Sequence, residues 1–346
     1  MPVPEKVINA ENIANYQVCL YEYLQLIHVP ITVVPVERER IEKSGADYND
    51  SRLREDIIFS VNEFFVKGQE LLEAGEYDKA IESCTTAIKL NPQHLFAYFT
   101  RGMTHFMKGE YEQSNEDFGE AVHLNPIFIM ELDEGSRAYM FAFSDDCMDL
   151  LKAFLGECYH HRGLACQQLT WMAEALEDYS DAIEIFPNSA ILYYYRASVL
   201  ISYEEPDEAI ADCEKALELS PGLTKVHSML GSAYNIKEEY EKAIEHYNKA
   251  LAANPENVSS LLNRSFAYFK LKNYSASVSD AARAVALDPA YPEARFYSGI
   301  ALMEMGEYKK ALADFDEAIR LDEKYEIAIL KRKETLEKLS NNSGNG

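Results

Sequence analysis

The sequence predicts an all-α protein, a right-handed α-solenoid of seven helix–turn–helix repeats with a capping segment at each end. The first observation is a set of six prolines that each close a helical pattern, separated by 34, 61, 34, 34 and 34 residues. The second is a set of small residues in the same phase, 24, 12 and 5 residues before each proline. A period of about 34 residues is typical of stacked helix pairs, and small residues let two helices cross closely. The six prolines are Pro92, Pro126, Pro187, Pro221, Pro255 and Pro289.

Seven repeats follow from this phase, and the gap of 61 residues is one period plus an insert of 27. In most repeats a tyrosine begins the second helix, for example Tyr77 and Tyr240. The fourth repeat has Pro206 there, and proline fits the first turn of a helix, where its missing N–H costs nothing. The predicted windows are 61–94, 95–128, 156–189, 190–223, 224–257, 258–291 and 292–325.

This combination of period, small residues and turn tyrosines resembles the tetratricopeptide repeat (TPR) family. The resemblance implies that the first helix of each pair lines a concave groove that holds a segment of a partner protein. It does not name that partner, because one repeat scaffold serves many unrelated roles.

Residues 1–60 lie ahead of the repeats and are expected to hold a helix over 11–27, an extended segment over 29–36 and a helix start near Ser51. Two interpretations stay open for residues 1–48. They cap the first repeat, as the open end of a solenoid requires, or the extended segment folds back and blocks the groove.

Two further segments break the period. Residues 129–155 form an acidic and aromatic insert for which we expect a short helix near its end and a role as contact element. Residues 326–339 are predicted to form a capping helix that buries its apolar side chains, and residues 340–346 a disordered tail. The expected apolar side chains of the cap are Ile327, Leu330, Leu336 and Leu339.

The net charge of −25 and the isoelectric point near 4.7 argue against nucleic acid and anionic membranes as partners, since both attract basic proteins. The first residues do not predict a secretion signal, and Tyr16 to Val36 is interrupted by charged residues and prolines. The six cysteines suggest no disulfide framework. We therefore expect a cytoplasmic protein.

Motifs for catalysis, phosphate binding or a cofactor are not recognised in the sequence, so a non-enzymatic protein is expected. The one cluster with metal-ligand chemistry is Cys158, His160, His161 and Cys166, all within one predicted helix. We expect no metal there, because structural zinc sites combine ligand pairs from two elements and neighbouring helix positions project in different directions.

The rows of the first helices that would line the groove are rich in aromatic residues, which are common interface anchors. The alternative interpretation is that several of these aromatic side chains pack between helices. The candidate groove residues are Phe65, Phe99, Met103, Tyr194, Tyr195, Asn263, Phe266, Phe296 and Tyr297.

Some TPR domains hold the acidic end of a chaperone through a clamp of lysine, asparagine and arginine side chains, which supply donors to a carboxylate. Here Asn263 is in phase for the clamp, but Ser228 and Glu293 stand where lysines are required. We therefore expect no chaperone peptide of that type. The predicted function is a protein–protein interaction scaffold that binds a partner peptide in the groove. The alternative is an autoinhibited sensor whose N-terminal segment occupies that groove.

Overall fold

The computed structural model describes residues 51–125 and 145–343, and these residues form fifteen α-helices and no strand. Turns of two or three residues join the two helices of each pair, and such short connections place successive helices side by side. The predicted all-α architecture of consecutive helix pairs is confirmed. The helices are α1 (Ser51–Glu73), α2 (Tyr77–Leu90), α3 (Leu95–Lys108), α4 (Tyr111–His123), α5 (Asp145–Gln168), α6 (Met172–Ile185), α7 (Ala190–Ser202), α8 (Pro206–Leu219), α9 (Val226–Ile236), α10 (Tyr240–Ala253), α11 (Val258–Lys270), α12 (Tyr274–Leu287), α13 (Pro292–Glu304), α14 (Tyr308–Leu321) and α15 (Glu326–Ser343).

The chain divides into two compact units, Met1–Leu192 and Tyr193–Gly346. In unit 1, α1 packs on α2, α3 on α4 and α5 on α6, and α2 and α4 each pack on the first helix of the next pair. In unit 2 the same order runs from α9 to α15, each helix packing on the one before it. Each unit therefore has a core that extends along the stack rather than a single central one.

Close crossing of the two helices in a pair depends on a size match between two residues that lie 16 positions apart. An alanine Cβ at Gly231 would lie 2.5 Å from the ring of Tyr247, and one at Gly299 would lie 2.7 Å from the ring of Phe315. Where the first residue is Ala197, the second is the smaller Cys213, also fully buried. An aromatic residue on the second helix thus requires glycine on the first.

The first helix of each pair ends in a residue with left-handed backbone conformation, always at the same repeat position. The N–H of the residue that follows bonds back to the helix, as in Glu239 N–H to Tyr234 O at 2.9 Å. Four of the seven residues are not glycine, and the left-handed conformation costs each of them about 1–2 kcal/mol. The residues are Gly75, Gly109, Thr170, Glu204, Glu238, Lys272 and Gly306.

Four pairs are also held together by a buried arginine–aspartate ion pair between their two helices. The shortest nitrogen–oxygen distances are 2.6–2.8 Å, and each aspartate side chain is less than a tenth exposed. Each guanidinium also lies over a tyrosine ring of its own helix, 5.5–5.8 Å from the ring centre. The pairs are Arg101–Asp117, Arg162–Asp178, Arg196–Asp212 and Arg264–Asp280.

The structure corrects the sequence-based boundaries at two places. Helix α5 begins at Asp145, so the end of the predicted insert and the third repeat form one continuous helix. Its early part is anchored by Leu151, Phe154 and Leu155, all fully or almost fully buried. Helix α15 continues to Ser343, so the first four residues of the predicted disordered tail are helical.

The predicted packing of the C-terminal helix is wrong for three of its four apolar side chains, and the fourth, Leu339, is half-buried. Ile327, Leu330 and Leu336 are 48%, 62% and 41% exposed. The buried side chains are the smaller Ala328 and Thr335, seven residues apart on the face that meets α14. Small residues allow this helix to approach its neighbour closely, which turns the larger side chains outward.

Several predictions concern residues outside the described ranges. They are the helix, extended segment and blocking role assigned within residues 1–50, the contact role of the acidic and aromatic residues 129–144, and the order of residues 344–346. Within the described ranges, the helices lack the combination of length and apolar character needed to cross a bilayer.

His94 gives unit 1 a predictable dependence on pH. Its ring is 3% exposed, packs 4.9 Å from Phe65 and accepts the Ala97 N–H at the start of α3, and burial lowers its pKa to about 4. Between pH 6.5 and 4 the unfolded chain binds a proton that the folded chain does not, so stability falls as the pH falls. We expect His94→Asn, which can still cap α3, to reduce the loss of unfolding free energy between pH 7 and 5 by about 2 kcal/mol.

Urea unfolding at the two pH values measures this effect, and His123→Asn is the control because His123 is exposed. The same pH dependence in the wild type and in His94→Asn would contradict the assignment.

Candidate functional site

Successive first helices of unit 2 lie against one another, α9 on α11, α11 on α13 and α13 on α15. Side chains at the same position of consecutive repeats therefore line a shared surface. We give the name first-helix face to six partly buried or exposed side chains that lie on the first helices or, for Lys225, directly before one. They are Tyr194, Tyr195, Lys225, Asn263, Phe266 and Tyr297.

The first part of this face is a cluster of two tyrosines and one lysine. The rings of Tyr194 and Tyr195 lie 5.4 Å apart at an interplanar angle of 65°. The ammonium group of Lys225 lies 4.1 Å from the centre of the Tyr194 ring and 5.5 Å from that of Tyr195. These distances are typical of cation–π contacts, which hold the lysine against the two rings.

The charge of Lys225 has no ion-pair partner among the described residues. Among the residues that the structure describes, no carboxylate oxygen lies within 4 Å of its ammonium nitrogen. Burial lowers the pKa of this lysine and raises the pKa of Tyr194 and Tyr195, so both hydroxyls remain protonated. The cluster thus offers a cation and two hydroxyl groups above an aromatic surface.

A second aromatic pair lies further along the same face. The rings of Phe266 and Tyr297 are 6.0 Å apart at 65°, which is an edge-to-face arrangement. The ammonium group of Lys270 lies 5.3 Å from the centre of the Phe266 ring. Burial raises the pKa of Tyr297, and the nearby Glu293 adds to the shift.

Polar side chains of α9 form hydrogen bonds with the neighbouring helices α10 and α11. Asn235 donates from its side-chain nitrogen to Tyr247 Oη and to the carbonyl oxygen of Asn263, both at 3.1 Å. The side-chain oxygen of Asn235 is buried and accepts no hydrogen bond from the residues described. Ser228 and Ser260 connect the neighbouring repeats through a hydroxyl pair 2.8 Å apart.

Three of the sequence-predicted site residues are buried and form core. Phe65, Phe99 and Phe296 are 0%, 4% and 7% exposed. Each packs against an aromatic ring beyond its own helix, as Phe99 does with Phe154 at 5.1 Å and Phe296 with Tyr325 at 5.4 Å. They fill the seam between repeats and are not available to a ligand in this structure.

The remaining predicted residues are distributed between the units. Met103 is half-buried and lies in unit 1, whereas Tyr194, Tyr195, Asn263, Phe266 and Tyr297 belong to unit 2. Lys225 was not among the residues predicted from the sequence. Its signal was its place in the second position of the fifth repeat, one of the rows expected to line the groove.

Repeated helix pairs with one exposed aromatic face define a helical-repeat protein. Sequence profiles described as tetratricopeptide repeat match residues 61–94, 172–224, 258–291 and 292–325, and a profile described as TPR repeat matches 231–272. The chain belongs to the tetratricopeptide repeat family. The resemblance inferred from the sequence is confirmed.

Solved structures of low sequence identity share the fold. A tetratricopeptide repeat protein from Parabacteroides merdae is 16% identical with a TM-score of 0.56, and the match covers 80% of this chain and 99% of that one. A match to the Cut9–Hcn1 hetero-tetramer of the APC/C is 14% identical with a TM-score of 0.59 and covers 86% of this chain and 50% of that one. A comparison with curated proteins found no match.

Proposed function

We propose that this chain is a non-catalytic interaction scaffold that binds a segment of a partner protein on the first-helix face of unit 2. The observation that carries the proposal is the cluster of Tyr194, Tyr195 and Lys225. Tyrosine and tryptophan are frequent anchors of protein interfaces because they bury much area and lose little side-chain entropy. A partly exposed tyrosine pair on the ligand-facing helices of a repeat protein fits that role.

The chemistry of the cluster suggests what the partner segment carries. Lys225 is an exposed cation whose pKa is lowered by partial burial against the tyrosine rings, and it faces no carboxylate among the described residues. A carboxylate of the partner would form a charge-assisted hydrogen bond there. An apolar or aromatic side chain next to it would pack on the tyrosine rings. We therefore expect a segment with one acidic group beside an apolar anchor.

The rest of the face supports a partner in an extended or helical conformation. The Phe266–Tyr297 pair provides a second apolar contact, and the half-buried amide of Asn263 lies between the two aromatic parts of the row. The net charge of −25 opposes the approach of an acidic segment, so affinity has to come from these local contacts. Modest affinity is the expected result unless the partner segment is ordered in advance.

Substitution of the cluster tests the proposal. Tyr194→Ala/Tyr195→Ala should reduce capture of the partner from cell extract at least tenfold, since the anchors contribute most of the binding energy. Lys225→Ala, which changes an exposed side chain, should weaken capture without loss of aromatic packing. Circular dichroism and thermal unfolding check that the variants stay folded.

The matched control is Tyr203→Ala, which removes a 46% exposed tyrosine from the turn of the same repeat. Equal capture by a folded cluster variant and by the wild type would refute this site. If the wild type captures nothing, a chain without residues 1–48 tests the alternative in which that segment blocks the face. Stronger capture by the shortened chain would favour the autoinhibited sensor.

A further inference from the structure

Helix α5 brings one carboxylate and two imidazoles together in unit 1, at a place that the proposed scaffold function does not use. Glu157 Oε2 lies 3.9 Å from His160 Nδ1 and 3.7 Å from His161 Nε2. One ligand atom from each of the three residues can be chosen so that all lie within 4.8 Å of one another.

This arrangement contradicts the expectation that His160 and His161 project in different directions. Their rings stack with centres 4.9 Å apart and an interplanar angle of 29°. The two cysteines of the sequence cluster do not take part. Cys158 is fully buried, and Cys166 donates its thiol hydrogen to Asn115 Oδ1 at 3.1 Å.

The distances are close to those of a metal site. Zinc binds histidine nitrogen and carboxylate oxygen at about 2.0–2.2 Å, so the ligand atoms of a tetrahedral site lie about 3.4 Å apart. Both distances from Glu157 exceed this value by less than 1 Å. The Glu157 carboxylate ends a flexible side chain, whose rotation can shorten both distances.

The surroundings favour a cation and hold the ligands in place. The Glu157 side chain is 11% exposed, and no lysine or arginine nitrogen of the described residues lies within 4 Å of its carboxylate. A buried carboxylate without a positive partner is costly, and a bound cation would remove that cost. The His161 ring stacks on Phe118 at 5.7 Å and meets the edge of Phe99 at 5.5 Å, so its orientation is fixed by packing.

The cluster is partly accessible to solvent. The side chains of His160 and His161 are 15% and 21% exposed. This partial exposure of the two imidazoles gives an ion a path to the cluster. A set of two nitrogens and one oxygen with an open position suits zinc and similar divalent transition metals rather than magnesium or calcium.

We propose that Glu157, His160 and His161 bind one divalent transition-metal ion, of which zinc is the expected representative. The first test is calorimetric titration of the metal-free full-length chain with zinc chloride. One equivalent of zinc should bind. Cobalt in place of zinc should give the absorption bands of a tetrahedral site.

Variants identify the ligands. Glu157→Gln and His160→Ala should each weaken zinc binding at least tenfold, and thermal unfolding without metal shows whether they remain folded. The matched control is His246→Ala, because His227 and His246 form a second histidine pair with Nδ1 atoms 3.3 Å apart in unit 2. Absence of binding in the wild type would overturn the proposal. Loss of binding in His246→Ala with unchanged affinity in the two cluster variants would also overturn it.

Discussion

A Tyr247→Cys variant is expected to lose about 3–5 kcal/mol of unfolding free energy, and a second change, Gly231→Ala, is expected to restore part of the loss. The Tyr247 ring is fully buried and fills the space above Gly231. Its hydroxyl also forms hydrogen bonds with Ser232 and Asn235. In the double variant an alanine methyl group enters the vacated space. The combination then matches Ala197 and Cys213 of the preceding repeat.

Gly231→Ala alone should be destabilising by about 1–3 kcal/mol, because the new methyl group would meet the tyrosine ring at 2.5 Å. The control is Gly119→Ala in α4, where no atom lies within 4 Å of the added Cβ. That change should stabilise by up to about 1 kcal/mol through helix propensity. Urea unfolding followed by circular dichroism measures all four variants. Strict additivity of the two unit 2 changes would contradict the size match.

Asp280→Ala is expected to cost about 3–5 kcal/mol of unfolding free energy. Asp280 accepts two hydrogen bonds from Arg264, each at 2.7 Å, and the two side chains are 6% and 13% exposed. Removal of the carboxylate leaves a guanidinium group in a buried position without its counter-charge. This cost arises mainly from the guanidinium group left without its counter-charge, and it exceeds the net contribution of the ion pair to stability.

Two controls separate these effects. Glu245→Ala removes an ion pair with Lys249 whose side chains are 65% and 48% exposed, and it should cost less than about 1 kcal/mol. Arg264→Met/Asp280→Leu removes both charges and should be more stable than Asp280→Ala. If the exposed and the buried pair cost the same to break, the arginine–aspartate pairs do not stabilise the helix pairs as described.

The period of the sequence predicts much of this fold, because each helix pair repeats the same local rules. The turn tyrosines mark the beginnings of second helices, as at Tyr77 and Tyr240, and Pro206 begins α8. Cys84 and Cys213 share one position of the repeat phase, and both are fully buried. These features depend on contacts within one pair, which recur at fixed spacing.

Features that depend on contacts outside the repeated unit were not predictable in the same way. The 34-residue phase does not extend into the insert, so the sequence predicted a short helix near the end of the insert but not that it continues into the third repeat as α5. The adjacent residues Phe296 and Tyr297 both fit a groove row, yet the first is 7% exposed and the second only partly buried. Packing of the next repeat decides this, and helical periodicity alone does not reveal it.

The candidate site likewise combines residues that the sequence pattern singles out with contacts that only the packed repeats establish. Aromatic enrichment of the first helices singled out Tyr194 and Tyr195, and the structure leaves both partly exposed. The role of Lys225 arises from a contact across 31 positions in sequence with Tyr194, which only the packing of consecutive repeats establishes. The metal cluster likewise depends on the ring orientations of His160 and His161, which their sequence spacing does not fix.

Site-specific photo-cross-linking tests the central claim of a partner bound on the first-helix face most directly. A benzophenone amino acid would replace Met229, which is half-buried in the same row as Tyr195 and Asn263, and in a second variant Tyr203, which is 46% exposed in a turn. We expect a captured partner to cross-link from position 229 and not from position 203. We also expect Tyr194→Ala/Tyr195→Ala to abolish the cross-linked product. Cross-linking from position 203 alone would contradict the account.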